Sequence, residues 1–285
     1  CMLKQGMNSA RVATNDKALQ EKAFREVSTL IEDMDLNMSP AYVSQPVYET
    51  VAEITDNPDP FKELKIQTNQ EALKLVPQLR EIIKKAPDPL YTAFHVSVAG
   101  NMIDMGIGHQ YEMSEMVQKI IDTPFTIDCY KKFKKDLASA KSILFLSDNS
   151  GEIVFDRLLV EQLVPTKINI KYCVKSGPII NDAMMEDAKV AGIPELVEVI
   201  ETGSNDIGVN FEKSSQAFLD EFNSADIIIA KGHGNFETCC DLPNNIYFIL
   251  KAKCIVVANQ LGVEEGSIVF ANYENQVNKK LGTNQ

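Results

Sequence analysis

Asp148, Asn149, Ser150, Gly151 and Glu152 follow one another directly after a short apolar run, and an amphipathic segment begins at once. A carboxylate beside an amide oxygen can bind a hard cation. A glycine lets backbone approach a ligand closely, and a second acid can orient or deprotonate a water. The same residues also read as a turn and a helix cap, because Asp and Asn lead the cap ranking. Whether other oxygen donors converge on the same place separates the two readings.

Three further patches share this character: "KSGPIIND" at 175–182, "ETGSND" at 201–206 and "KGHGNFE" at 231–237. Asp182 offers a second carboxylate, and an oxygen-only donor set suits Mg²⁺ or Mn²⁺ with water completing an octahedron. Gly151, Gly177, Gly203, Gly232 and Gly234 allow close backbone approach. Helix starts after Ser150 and Asp182 would turn N–H groups toward an anion. Lys231 is a cation placed to neutralise a phosphoryl group in a transition state. Taken singly, Asp182 reads as the cap of its own helix and Lys231 as a solvated side chain at a turn.

The elements that must position these residues change character near residue 140. Before it the apolar spacing is helical: Asn15 to Met34, Gln70 to Lys84 with Pro77 kinking it or near its start, and Asp88 to Gly106. "DNPDPFKELK" is a Pro-rich turn opening another helix, and Ile127 to Ala140 reads as a lysine-rich surface helix. After it, strands alternate with helices: Ser142–Leu146, then helix Glu152–Leu163; Lys167–Val174, then Asp182–Val190; Leu196–Ile200, then Asn210–Phe222; then strand Asp226–Ala230. Tyr247–Leu250, Cys254–Val257 and Ser267–Phe270 read as further strands, with Cys173 and Cys254 as small buried residues inside strands. The expected class is α/β: a helical domain over 1–140, then a domain over 141–285 with a mostly parallel sheet and helices on both faces. Each of the four polar patches then lies just beyond a strand, at the carboxyl edge where ligands bind such sheets.

Composition narrows the function classes. The chain has 285 residues, 45% of them apolar, and a formal net charge of −12. A sizeable core can form, and an acidic chain without a basic stripe argues against nucleic-acid binding. No apolar run reaches the ~18 residues of a membrane span. No secretory leader is read, and a cytoplasmic location is expected. The six cysteines form no CxxC pair within the sequence and no recognisable structural zinc set. There is no GxxxxGK[ST], no GxSxG elbow and only two of the three glycines of GxGxxG. Among the histidines, His95 sits in an apolar helix as a packed side chain, His109 reads as surface, and His233 stands in the glycine turn as a substrate contact.

"SDNSGEIVFD", "GPIINDAMMEDA", "ETGSND" and "KGHGNFE", in this order, resemble the damage-control phosphatase family, formerly a domain of unknown function (number eighty-nine). "DNPDPFKELK" and "VAGNMIDMG" resemble its N-terminal signatures, so the likeness covers nearly the whole chain. The compact microbial branch carries a CxxC near its start, of which Cys1 matches only the second cysteine. The resemblance implies a helical part beside a Rossmann-like α/β/α three-layer part. It also implies a metal-dependent phosphatase acting on small phosphorylated metabolites such as sugar phosphates. Asp148, Asn149 and Asp182 match its metal ligands, and Mn, Co, Ni or Mg would serve as the cation. Lys231, with Asn235 and Glu237 of the same motif, is expected near the substrate phosphate. Asn101 and Asp104 match GNxxD and would lend the helical part to the cleft. Backbone N–H groups at Ser150-Gly151 and Thr202-Gly203 would hold phosphoryl oxygens, with Glu152 orienting water and Asp148 catalytic. Two rivals share such a sheet: an S-adenosylmethionine-dependent carboxyl methyltransferase, and a non-catalytic phosphometabolite-binding protein. The loop DNSGE, with a single glycine and an Asp-Asn pair, suits a cation better than adenosylmethionine.

Overall fold

The structure, a computed structural model, describes residues 2–32, 34–35, 38–100, 119 and 121–273. Helices α1 (Met2–Ala13), α2 (Lys17–Glu32) and α3 (Pro40–Thr55) pack around Ala10, Ala23, Val27, Val47 and Val51. Helix α4 (Lys62–Lys85) follows, then α5 (Pro89–Gly100). "DNPDPFKELK" therefore opens the same helix that carries the Gln70–Lys84 pattern, and that helix runs on through Pro77.

The expected helix Ile127–Ala140 is instead strand β1 (Ile127–Asp128) and helix α6 (Tyr130–Leu137). Asp128 Oδ1 accepts from Tyr130 N at 2.9 Å, a local bond that competes with the first helical turn. Tyr130 and Phe133 are buried, so only part of α6 is surface.

Strands β2 (Ser142–Leu146), β3 (Asn169–Val174), β4 (Glu198–Glu201), β5 (Ile227–Lys231), β6 (Ile246–Lys251) and β7 (Ile268–Asn272) complete one sheet of order β1-β7-β6-β5-β2-β3-β4. Every neighbouring pair is parallel except β6 with β7. Helix α7 (Glu152–Leu163) follows β2, α8 (Met185–Ala191) precedes β4, α9 (Gln216–Ser224) precedes β5, and α10 (Gly232–Cys239) follows β5. The class is α/β with a mostly parallel sheet, as expected. Alternation along β2 sends Ile143 and Phe145 into the core layer of α4, α5 and α7, and Leu144 and Leu146 into the opposite layer. The first layer also holds Leu75, Phe94 and Phe133, so it draws on both sides of residue 140.

Cys254–Val257 is a correction. It is not a strand but the cap and first turn of helix α11 (Ile255–Leu261). The β-branched run Ile255-Val256-Val257 mimics a strand, yet Val257, Ala258 and Leu261 are buried at helical spacing while Ile255 and Val256 are exposed. The helix expected from Asn210 starts only at Gln216, because Ser215 Oγ caps it by accepting from Phe218 N at 3.2 Å. No helix among the described residues is long and apolar enough to cross a membrane.

Candidate active site

Register fixes where the strands end. Leu146 pairs with Cys173 and with Ala230, and Cys173 pairs with Ile200, so β2, β3, β4 and β5 leave the sheet along one row. Strand β2 lies between β3 and β5, where the order of connection reverses, which is the crevice position for ligands in this architecture. Asp148 stands just beyond it.

The turn after β2 then pairs with the turn after β3. Asn149 and Asp182 form an antiparallel bridge. Ser150 N donates to Asn181 O and Ala183 N donates to Asp148 O, each at 2.8 Å. The DN and ND segments are thus locked side by side by backbone bonds. The cap reading fails for both. Helix α7 has Gly151 at its N-cap without a side-chain cap bond. Helix α8 begins beyond Met184, whose N–H donates to Asp187 Oδ2 at 2.8 Å. Asp148, Asn149 and Asp182 are left for other work.

Their electrostatics are those of crowded acids. Burial and the neighbouring Asp182 carboxylate push Asp148 up to about 7. Burial raises Asp182 to about 6, against the pull of Lys175. Burial raises Glu152 to about 8, opposed by Lys231 and aided by Asp148. Asn149 Nδ2 donates to Asp148 Oδ2 at 2.9 Å and to Glu152 Oε1 at 2.8 Å. Its amide oxygen makes no hydrogen bond among the described residues. No group of three or more His, Cys, Asp or Glu side chains among the described residues is disposed to hold a metal. The candidate donor set is the mixed one, two carboxylates and an amide.

Lys231 is wholly buried, which corrects the reading of it as a solvated side chain at a turn. Its Nζ donates to Asp156 Oδ1 at 2.7 Å, Ser97 O at 3.0 Å and Glu152 Oε2 at 3.3 Å. Burial works to lower its pKa, but Asp156 and Glu152 outweigh it and the net direction is upward. Lys231 therefore supports Glu152 from behind. Asp156, also fully buried, accepts from Ser97 Oγ at 2.6 Å and Tyr172 OH at 2.8 Å. Gly100 lets α5 come this close: a Cβ there would fall 2.8 Å from Glu152 Cα.

The backbone donors expected to hold phosphoryl oxygens are engaged elsewhere. Ser150 N binds Asn181 O, Gly151 N binds Asn69 Oδ1 at 2.6 Å, Thr202 N binds Val174 O, and Gly203 N binds Ser176 Oγ at 2.6 Å. Thr202 Oγ1 donates to Ser204 O at 2.8 Å. Asn235 Nδ2 donates to Ser147 O and Lys231 O, closing the strand ends. Glu237, raised by burial to about 7, faces the backbone of Ala41 at the start of α3. These residues shape the loops. Asn101 and Asp104 lie outside the described residues, as does His109. His95 packs between Tyr91 and Phe125 as expected, whereas His233 Nε2 lies 2.8 Å from Lys251 O and 3.0 Å from Lys253 N and so anchors the end of β6 and the loop after it.

Three contributors were missed from sequence. Asp156 follows Glu152 by four residues, on the same helix face and next to the apolar run Ile153-Val154-Phe155, a legible signal for a second inward acid. Lys175, buried, donates to Asp206 O at 2.7 Å and to Gly208 O, with its Nζ 3.6 Å from Asp182 Oδ2. Lys253 is exposed, and its charge lowers the proton affinity of both Asp148 and Glu152.

Residues 1–269 match the family description "Damage-control phosphatase ARMT1-like domain". The chain is 36% identical over 280 residues to an uncharacterised protein of Methanocaldococcus jannaschii, covering 95% of this chain and 92% of that one. It is 34% identical over 273 residues to a protein of Pyrococcus horikoshii named as a damage-control phosphatase, covering 94% of each. A protein of Archaeoglobus fulgidus with the same name is 31% identical over 276 residues, covering 94% of this chain and 95% of that one. The crystal structure of a DUF89 family protein from Pyrococcus horikoshii superposes with a TM-score of 0.88 at 34% identity, covering 96% of each chain.

Proposed function

The chain belongs to the damage-control phosphatase ARMT1-like family, and on that footing we propose that it hydrolyses phosphomonoesters of small metabolites with a divalent cation held by Asp148, Asn149 and Asp182. The observation that carries this reading is the Asn149–Asp182 bridge at the topological switch point. The donor chemistry fits a hard cation: two carboxylates raised chiefly by burial, Asp148 also by the Asp182 charge, and an amide oxygen with no other bond among the described residues. Mn²⁺, Co²⁺, Ni²⁺ and Mg²⁺ are the candidates. When bound, the cation supplies Lewis-acid polarisation of the phosphoryl group.

The chain's own residues do the rest. Glu152 takes a proton from the attacking water. Its proton affinity near neutrality suits a group that must accept and release a proton within one turnover. Asn149 on one oxygen and Lys231 on the other fix its carboxylate. Asp156 and Ser97 in turn hold Lys231. Lys253 offsets the negative charge of an incoming phosphate at the open side. Sugar phosphates and related side-product phosphometabolites are the substrate class.

The test is phosphate release from p-nitrophenyl phosphate and a panel of sugar phosphates, with each of the four cations and with chelator. Asp148→Ala should lower turnover by ~100-fold or more, the scale of a lost cation. It should also abolish Mn²⁺ binding in calorimetry while circular dichroism stays unchanged. Full turnover in that variant would remove the cation site from the mechanism.

A further inference from the structure

Asn69 is a buried amide on helix α4, in the helical part of the chain. Its Oδ1 accepts from Gly151 N at 2.6 Å, 82 positions away. Its Nδ2 donates to Asp187 Oδ1 at 2.6 Å, 118 positions away. Asp187 Oδ2 in turn accepts from Met184 N at 2.8 Å. Gly151 and Met184 are the residues at which α7 and α8 begin. Three bonds therefore run without a break from the backbone N–H that opens α8 to the one that opens α7. The turns leading into those helices are the two that carry Asp182 and the Asp148-Asn149 pair. Helix α4 is pressed onto the second of these turns: Thr68 Oγ1 lies 3.4 Å from Ser150 Oγ, and a Cβ at Gly151 would fall 3.2 Å from Thr68 Cβ.

The middle of this chain of bonds has strict requirements. A backbone N–H only donates, and an ionised carboxylate only accepts. The residue between them must accept on one side and donate on the other, and Asn does both across one compact planar group. Asp at this place would set a lone pair against Asp187. Ala would strand a buried N–H and a buried carboxylate oxygen without these partners. The same two turns are also joined directly, by Ser150 N to Asn181 O and Ala183 N to Asp148 O. Those backbone bonds fix the register of the turns. The Asn69 bridge fixes the points from which the two helices depart.

We propose that Asn69 is a positioning residue for the cation site: it holds the turn of Asp148 and Asn149 at its distance from the turn of Asp182, so that the three donors keep the spacing one ion requires. The identity of those donors, and what the cation does, come from the phosphomonoesterase reading, on which this inference rests. Asn69 acts through Gly151, two residues beyond Asn149, and through Asp187 and Met184, the latter two residues beyond Asp182. Both halves of the donor set are thus gripped at the same remove by one amide. Groups behind the ligands that hold them in place govern metal affinity nearly as strongly as the ligands themselves. The helical part of the chain then shares in building the cation site rather than only covering the sheet.

The experiment exchanges the two side-chain types. Asn69→Asp sets two carboxylates face to face, and Asp187→Asn leaves either Asn69 Nδ2 or Met184 N without its acceptor. The two substitutions together restore all three bonds, with the amide now at position 187 and the carboxylate at 69. Mn²⁺ affinity is read by calorimetry at a temperature where circular dichroism shows every variant folded. Phosphate release from p-nitrophenyl phosphate is read against Mn²⁺ concentration. Each single variant should bind Mn²⁺ ~10-fold more weakly. The double variant should recover most of that loss, a coupling that the double-mutant cycle reads directly. In the single variants the Mn²⁺ concentration for half-maximal release should rise by more than kcat at saturating Mn²⁺ falls. A residue serving stability alone would lower the melting temperature and leave the affinity of the folded protein unchanged. That result would overturn the assignment, as would a double variant no better than the weaker single one. No Mn²⁺ binding by the unsubstituted protein would sink the cation site and this inference with it. Binding that follows the expected pattern, with no phosphate release from any phosphomonoester, would sink the phosphatase reading and leave the role of Asn69 standing.

Discussion

Gly232 abuts the Asp148 carboxylate so closely that a Cβ at position 232 would overlap it. Its φ of +79 adds a backbone reason for glycine. The residue after strand β5 thus sets the position of the acid after strand β2. Gly232→Ala should cost ~1–3 kcal/mol of stability and displace Asp148. Phosphate release should fall by ~10-fold or more, since misplacement of about 1 Å is that costly. Denaturant melts and initial rates on the same preparation check both, and an active alanine variant would dissociate Asp148 from the chemistry.

Lys231 compensates two buried acids, so its removal should act on folding as well as rate. Lys231→Met should destabilise by about 3–5 kcal/mol, the scale for breaking a buried pair. Adding Asp156→Leu should recover much of that loss, because the stranded charge goes with it. Chemical denaturation of the single and double variants reads the coupling. Activity should stay low in both, since Glu152 loses its brace.

Lys253 is exposed, and its charge favours the ionised forms of Asp148 and Glu152. Lys253→Met should therefore leave the melting temperature unchanged and raise KM for a phosphorylated substrate by ~10-fold, with a smaller change in kcat. The KM increase should shrink as ionic strength rises, because an exposed charge is screened. An unaltered KM at low salt would exclude Lys253 from substrate attraction.

The crowded carboxylates make stability depend on pH. Asp182, Asp148 and Glu152 are raised to about 6, 7 and 8, chiefly by burial, and Glu237 to about 7. Each keeps its proton in the folded chain where the unfolded chain, at ~4, has released it. Their stabilising contribution is whole below ~4 and is lost as pH rises through the folded values. His233, lowered by burial, works in the opposite sense only below its unfolded value of ~6.5. The melting temperature of the protein in chelator should therefore fall between about pH 7 and 8.5. Glu152→Gln should flatten that slope. Added Mn²⁺ should raise the melting temperature more at the upper end, where its ligands are deprotonated. A flat profile in chelator would mean the acids are not crowded.

Much of this was legible in the residues themselves. The apolar spacing of Glu152–Leu163 gives helix α7 with its observed ends. The four polar patches fall at the strand exits because alternating strands and helices leave few other topologies. What stayed hidden depends on distance along the chain. Nothing near Lys231 announces that its partners are Ser97 and Asp156, 134 and 75 positions away. The local run Ile255-Val256-Val257 has strand-like composition, and only its burial on one face reveals a helix. Likewise, the N–H groups of Gly151 and Gly203 look available in sequence, yet Asn69 and Ser176 arrive from other segments to occupy them.

Ser97 gives its carbonyl to Lys231 and its hydroxyl to Asp156. Until α5 docks against α7, three charges would sit in an oily crevice with part of their shell missing. Hydrolytic competence should consequently arrive last during maturation, as a signature of completed packing. A half-assembled copy would then carry the right amino acids and still be chemically silent.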